Sequence, residues 1–196
     1  MPAYPFPLTL TFKIMSVSPI ISVTDATGAS VCYVKQKLFK LKEHVEVFTD
    51  ETRSQVLCNI NADRVIDFSA SYTFTDAEGN AFGSVRRKGM RSLWRIHFEI
   101  YEGEQKLYDV VEESVMTRFM DGLLGEIPIL GLLSAYVFQP KYNVIRASDG
   151  VQCYQLQKKP SLLDKKFELH ELVESPDDIT VLMSAITATL LERSSG

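Results

Sequence analysis

The final segment of the chain, Asp178–Glu192, constrains the fold more than any other. Ile179, Val181, Leu182, Met183, Ala185, Ile186, Ala188, Leu190 and Leu191 leave a helix here with hardly any polar face. Its hydrophilic positions are Thr180, Ser184, Thr187 and Thr189, small hydroxyls that can bond back to carbonyls one turn earlier. A helix that is apolar all round must be enclosed by protein or by lipid. Roughly 15 residues at about 1.5 Å each reach only about 22 Å, short of a bilayer core of roughly 30 Å. Enclosure by protein is therefore expected, and the residues before it say what kind.

Those residues read as β-structure almost without interruption. Leu8–Ile14, Ile20–Thr24, Ser30–Leu41, His44–Thr49, Gln55–Ile60 and Val65–Phe74 are β-rich runs, and Asp25-Ala26-Thr27-Gly28 and Asp76-Ala77-Glu78-Gly79-Asn80 are turns. Phe82–Arg87, Trp94–Tyr101, Lys106–Val111, Tyr142–Arg146, Val151–Lys158 and Lys166–Leu172 continue the series. Alternation is clearest in Trp94–Tyr101, where Trp94, Ile96, Phe98 and Ile100 share one face and Arg95, His97, Glu99 and Tyr101 the other. About a dozen short strands spaced as a meander predict a sandwich or a barrel. A sandwich core about 10 Å thick has no room for a helix about 10 Å across, whereas a large closed barrel does. The expected fold is thus mainly β: a closed antiparallel barrel of about twelve strands around a buried hydrophobic C-terminal helix. Residues 1–196 are expected to form a single domain, with 1–7 as a tail, 8–172 as strands and 178–192 as the central helix. Ser175-Pro176-Asp177-Asp178 supplies the caps and acidic groups that suit a helix start.

Composition narrows the class. A hydrophobic share of 45% and a charged share of 23% are those of a globular protein. The net charge of −4 argues against a generic nucleic-acid binder. Cys32, Cys58 and Cys153 are odd in number and widely spaced, giving neither a disulfide framework nor zinc-ligand spacing, so a reducing cytosolic setting is expected. The N-terminus lacks the charged and apolar regions of a secretory signal.

Several stretches then resemble one known family. Tyr33-Val34-Lys35-Gln36-Lys37-Leu38-Phe39-Lys40-Leu41-Lys42-Glu43, running into Val45-Glu46-Val47-Phe48, is similar to the early strands of LURP-one-related proteins. These belong to the tubby C-terminal-like superfamily, together with the phospholipid scramblases. Gly83-Ser84-Val85-Arg86-Arg87-Lys88 with Ser92-Leu93-Trp94, the Pro140-Lys141-Tyr142 step and the apolar terminal helix add to the resemblance. It implies a roughly twelve-stranded barrel threaded by the C-terminal helix. Functionally it implies a range, from phosphoinositide-binding adaptors to proposed scramblases. The Pro-rich arm, cysteine cluster and charged span beyond the helix that scramblases carry are missing.

Two basic stretches are candidate sites. Lys35, Lys37, Lys40 and Lys42 lie on one long predicted strand, and Arg86, Arg87, Lys88, Arg91 and Arg95 gather around one turn. The second set is the better candidate for holding an inositol phosphate or anionic headgroups, because Arg clamps phosphate in bidentate fashion and each cation near a charged membrane contributes about 1 kcal/mol. The competing reading is that such cations guard exposed strands against edge-to-edge aggregation. A second candidate, Phe119–Phe138, is apolar but broken by Asp121, Glu126, Pro128 and glycines. A spanning role would bury two carboxylates, so a connection folded over the barrel end is expected instead, or a loop that dips into a membrane surface, lines an apolar ligand pocket at the barrel mouth or meets a partner protein. Enzyme signals are poor. His44, His97 and His170 sit apart on predicted strands, and no nucleophile, phosphate-loop or metalloprotease motif occurs. The expectation is a non-enzymatic, cytoplasmic module that is peripheral to membranes and binds anionic phospholipid or phosphoinositide. No cofactor, metal or nucleic acid is called for. A protein-interaction scaffold, a scramblase-like protein and a carrier using the barrel interior are the alternatives.

Overall fold

A computed structural model of the chain describes residues 4–13, 20–35, 44–63, 71–88, 97–113, 141–161 and 164–194. Twelve strands lie in sequence order: β1 (Leu8–Lys13), β2 (Ile20–Thr24), β3 (Ser30–Lys35), β4 (His44–Phe48), β5 (Val56–Ala62), β6 (Ser71–Thr75), β7 (Ala81–Arg87), β8 (His97–Glu102), β9 (Gln105–Glu112), β10 (Lys141–Arg146), β11 (Gln152–Lys159) and β12 (Asp164–Glu171). Each pairs antiparallel with its neighbour in sequence, and β1 pairs with β12 (Leu8 opposite Leu169, Leu10 opposite Phe167), so the sheet closes into a barrel. Among the described residues one helix, α1 (Asp178–Ser194), follows and fills the interior.

The alternation that makes the strands also decides which side chains face the helix. Leu8, Leu10 and Phe12 on β1, Tyr142 and Val144 on β10, and Phe167 and Leu169 on β12 are buried, while the residues between them are half-buried or exposed on the outer wall. Leu182, Met183 and Ile186 of α1 have no solvent exposure. The helix hydroxyls behave as their spacing predicts: Ser184, Thr187 and Thr189 donate to the carbonyls of Thr180, Met183 and Ala185 at 2.8, 2.8 and 2.6 Å. In this way an apolar enclosure tolerates them without an unpaired polar group.

The barrel grips the helix at its start and along one flank. Tyr154 donates its hydroxyl proton to Asp178 Oδ1 at 2.7 Å, and Tyr108 donates to Asp177 Oδ2 at 2.7 Å beside Ser175. Gly83 of β7 lets the helix come close. A Cβ there would lie 2.6 Å from Thr180 Cγ2 and 3.2 Å from its Oγ1, so only glycine fits at this register. Further along the helix, the small residues Ser184, Ala185 and Ala188 face β7–β12 across an apolar cavity of about 30 Å³.

Boundaries depart from the alternation in a few places. The expected strand Val65–Phe74 is represented by β6, which starts at Ser71, and residues 65–70 lie outside the described residues. Residues 36–41 of the expected Ser30–Leu41 strand lie outside them too, as do 94–96 of Trp94–Tyr101 and the whole of Phe119–Phe138. Leu172 is not the end of β12 but sits in the connection to the helix, 54% exposed.

Antiparallel order gives the barrel two distinct ends. Odd-numbered strands run toward one end and even-numbered strands away from it. The tight turns β2–β3, β4–β5, β6–β7, β8–β9 and β10–β11 all lie at the other end, with the start of the helix. These turns use aspartate in the same way. Asp25 Oδ1 accepts from the backbone N–H of Thr27 and Ala29, Asp50 Oδ1 from Thr52, and Asp76 Oδ1 from Asn80. Side-chain and backbone bonds hold all three carboxyls below the usual carboxylate range.

Candidate functional site

The outer wall of β7–β8–β9 holds the described part of the basic cluster. Arg86 points outward on β7 and is exposed, and its guanidinium carbon lies 4.2 Å from the centroid of the Tyr101 ring. Register places Arg86 opposite Glu99 on β8, and Glu99 opposite Asp109 on β9. Two carboxylates side by side on neighbouring strands repel each other unless a cation lies between them. Lys106 supplies one, its Nζ 2.9 Å from Asp109 Oδ2 and 3.6 Å from Glu99 Oε1. Lys88, just past the end of β7, places its Nζ 2.6 Å from the same Glu99 oxygen, and Tyr101 donates to Glu99 Oε2 at 2.9 Å.

These partners cover Glu99, which is 8% exposed even though it faces outward. Burial pushes its carboxyl up, but the bonds from Lys88 and Tyr101 and the charges of Lys88 and Lys106 outweigh it, and the group is held below the ordinary glutamate range. Asp109 is held low in the same way, against burial, by Lys106 and His97. The bond from Glu99 raises Lys88 and the bond from Asp109 raises Lys106, so both ammoniums stay charged at neutral pH.

Of the five residues expected to form a headgroup site, the structure describes three, and they do not converge on one point. Arg86 and Lys88 share the outer wall. Arg87 falls on the inward-facing register next to Val85, close enough to Tyr72 for its charge to oppose the rise that burial causes in that phenol. Arg91 and Arg95 lie outside the described residues. So do Lys37, Lys40 and Lys42, while Lys35 is exposed at the end of β3.

The sequence spacing gave no sign that Glu99, Asp109 and His97 meet. Their ligand-type atoms lie within 4.8 Å of one another, with His97 Nε2 3.0 Å from Asp109 Oδ1. Register across the β8–β9 hairpin brings them together, and the only trace in the chain is that all three occupy outer positions of adjacent strands. Their chemistry speaks against a metal centre, because two lysine ammoniums already neutralise the carboxylates. His44 and His170 are likewise occupied, His44 by Asn61 Oδ1 at 2.7 Å and His170 by Glu168 Oε2 at 3.1 Å.

Among the described residues the interior offers little to a carrier. An apolar cavity near 150 Å³ accepts a benzene-sized molecule. The space beside the helix is about 30 Å³ and is walled by Val85, Phe98, Tyr142, Phe167 and Ala185 among others, too small for a lipid chain. No helix among the described residues is long and apolar enough to cross a membrane.

A closed twelve-stranded barrel plugged by its own C-terminal helix, with its polar chemistry on the outer wall, defines a β-barrel class of module. The LURP-one-related family model matches residues 30–173, and the chain belongs to that family. The match takes in β3–β12, while β1 and β2, which close the sheet, and the plugging helix lie beyond it. An X-ray structure of a protein from Arabidopsis thaliana is similar to this chain with a TM-score of 0.49 and 13% identity, covering 94% of this chain and 90% of that one. No curated protein matches the chain.

Proposed function

We propose that this protein is a non-enzymatic module that works at a membrane surface and holds anionic phospholipid or phosphoinositide headgroups through the cations around β7. Arg86 carries the reading. It is exposed, it makes no ion pair among the described residues, and its guanidinium lies over the Tyr101 ring. A stacked guanidinium keeps its N–H edge free to meet phosphate oxygens in bidentate fashion. Arg87 is also without an ion pair among the described residues, whereas Lys88 shares its charge with Glu99. Arg91 and Arg95 belong to the proposed set by sequence.

The competing role for these cations, guarding a sheet edge, loses its basis once β1 pairs with β12, because a closed barrel has no edge strand. A cytoplasmic, membrane-peripheral setting is in keeping with three unpaired thiols, Cys32, Cys58 and Cys153. The test is flotation with phosphatidylcholine vesicles that do or do not contain a phosphoinositide. Wild-type protein should float with the charged vesicles in a salt-sensitive way, and Arg86→Glu with Arg87→Glu should weaken that by at least about thirtyfold. Absence of wild-type binding, or binding unchanged by the double reversal, removes the reading.

A further inference from the structure

Among the described residues three large apolar side chains stay outside the core. Leu172 is 54% exposed, and Val151 and Val173 are each 39% exposed. They are not scattered. Val151 leads the β10–β11 turn into β11, and Leu172 and Val173 begin the connection from β12 to α1. The Cys153 carbonyl accepts the backbone N–H of Leu172 at 2.7 Å and that of Val173 at 3.2 Å, which holds both against β11 two residues along from Val151. These bonds use the backbone alone, so a polar side chain would serve the fold equally well at either position. Single apolar side chains are ordinary on a surface, whereas a group with a polar rim marks an interaction site.

The rim of this patch is acidic. Glu174, next to Val173, is exposed and makes no hydrogen bond or ion pair among the described residues. Glu171 precedes Leu172, and its carboxyl accepts the backbone N–H of Ser175 at 3.1 Å. Burial, and then the charges of Asp178 and Glu174, hold Glu171 above the ordinary glutamate range against that bond. Among the described residues no Lys or Arg is ion-paired with Glu171, Glu174, Asp177 or Asp178. Arg146, the cation on the β10 side, is already tied to Asp149 at 3.0 Å. Ala147 bonds the Leu107 carbonyl at 2.8 Å, which sets the β8–β9 turn, with exposed Glu102 and Glu104, on the flank beyond.

We propose that this face docks a partner protein through a basic amphipathic helix. Its apolar side chains would sit on Val151, Leu172 and Val173, and its lysines or arginines would meet Glu171 and Glu174. The sign of the charge chooses this occupant. The carboxylates repel an anionic membrane and a nucleic acid alike, and a second copy of the same face would set Glu174 against its own kind. A cationic segment with an apolar stripe gains from both parts of the surface. The closed barrel offers no edge for strand addition, and aliphatic anchors suit side chains spaced one turn apart on a helix. The proposal stands apart from the headgroup reading, which concerns the β7–β9 wall.

The probe is a fluorescently labelled peptide of leucine and lysine at helical spacing, titrated with the full chain and read by anisotropy. Wild-type protein should bind it, and a peptide with glutamate in place of lysine should not bind. Leu172→Ser with Val173→Ser should weaken binding at least about thirtyfold, because two apolar side chains no longer leave water. Glu174→Gln should weaken it about threefold and flatten its dependence on salt. All three side chains are exposed, and a thermal melt confirms that each variant is folded. No binding by wild type, equal binding by the Leu172→Ser, Val173→Ser variant, or equal binding of the glutamate peptide overturns the proposal. A dimer seen in sedimentation that the same double variant abolishes also overturns it, assigning the face to a second copy. None of these outcomes bears on vesicle flotation, so failure here leaves the headgroup reading standing.

Discussion

Gly83→Ala tests how the helix is seated. The added Cβ would lie 2.6 Å from Thr180 Cγ2, 3.2 Å from Thr180 Oγ1 and 3.4 Å from Phe74 Cδ2. Rotating Thr180 about χ1 gives no easy relief, because both γ atoms already crowd the position and a β-branched side chain on a helix has few rotamers. Phe74 is fully buried and Thr180 is 5% exposed, so neither has space to retreat into. The helix would have to shift toward the opposite flank, pulling against the Tyr154–Asp178 and Tyr108–Asp177 hydrogen bonds at its start. Overpacking of this kind costs about 1–3 kcal/mol. With a urea dependence of about 2–3 kcal/mol per molar, a loss near 2 kcal/mol moves the denaturation midpoint down by about 0.7–1 M. Thr180→Ser removes Cγ2, the nearest atom, at a cost of about 1 kcal/mol for one buried methyl. If the contact is the cause, the double variant recovers part of the Gly83→Ala loss, and the cycle shows coupling of more than about 0.5 kcal/mol. Urea melts followed by circular dichroism read all four proteins. A Gly83→Ala midpoint within about 0.2 M of wild type, or strict additivity with Thr180→Ser, would refute the close approach of helix and wall.

Two further outcomes follow from the same packing. Ile186→Asp places an unpaired carboxylate at a position with no solvent exposure, a cost of several kcal/mol against a total of about 5–15 kcal/mol, and should abolish the folded circular-dichroism spectrum. A folded variant would mean that the helix is not the core of the barrel. Asp178 is raised above the ordinary aspartate range, chiefly by burial and then by the charges of Asp177 and Glu174, against a lowering bond from Tyr154. A raised carboxyl favours the folded state below its unfolded pKa near 4 and loses that contribution as pH rises through the folded value. Its charge is therefore a cost at neutral pH. Asp178→Asn, which keeps an oxygen for the Tyr154 hydroxyl, should raise stability at neutral pH, with the gain fading as pH falls toward about 4. Chemical denaturation at both pH values checks this, and a less stable variant at neutral pH contradicts it.

Most of the architecture was legible from local patterns. Alternation at Leu8–Phe12, at Phe98–Ile100 and at Phe167–Leu169 marks strands, because a pleated chain turns successive side chains to opposite faces. The aspartate-bearing turns are legible for the same local reason, and the all-round apolar helix admits few enclosures. The candidate site was legible only in part. Arg86, Arg87 and Lys88 stand out as neighbouring cations, yet adjacent strand residues face opposite ways, so Arg87 departs from the other two. Glu99 looks like an ordinary exposed residue until Lys88, Tyr101 and Lys106 cover it.

The apolar terminal helix and the meander of short strands, both short-range signals of period and turn chemistry, determined by themselves that this chain closes a barrel around its own C-terminus. Tertiary structure alone decided where the helix leans, because the space that Gly83 leaves for Thr180 depends on two residues nearly a hundred positions apart. It also decided the pairing of charge. Lys88, Glu99 and Lys106 meet because antiparallel pairing sets β7, β8 and β9 side by side, and composition carries no record of that pairing.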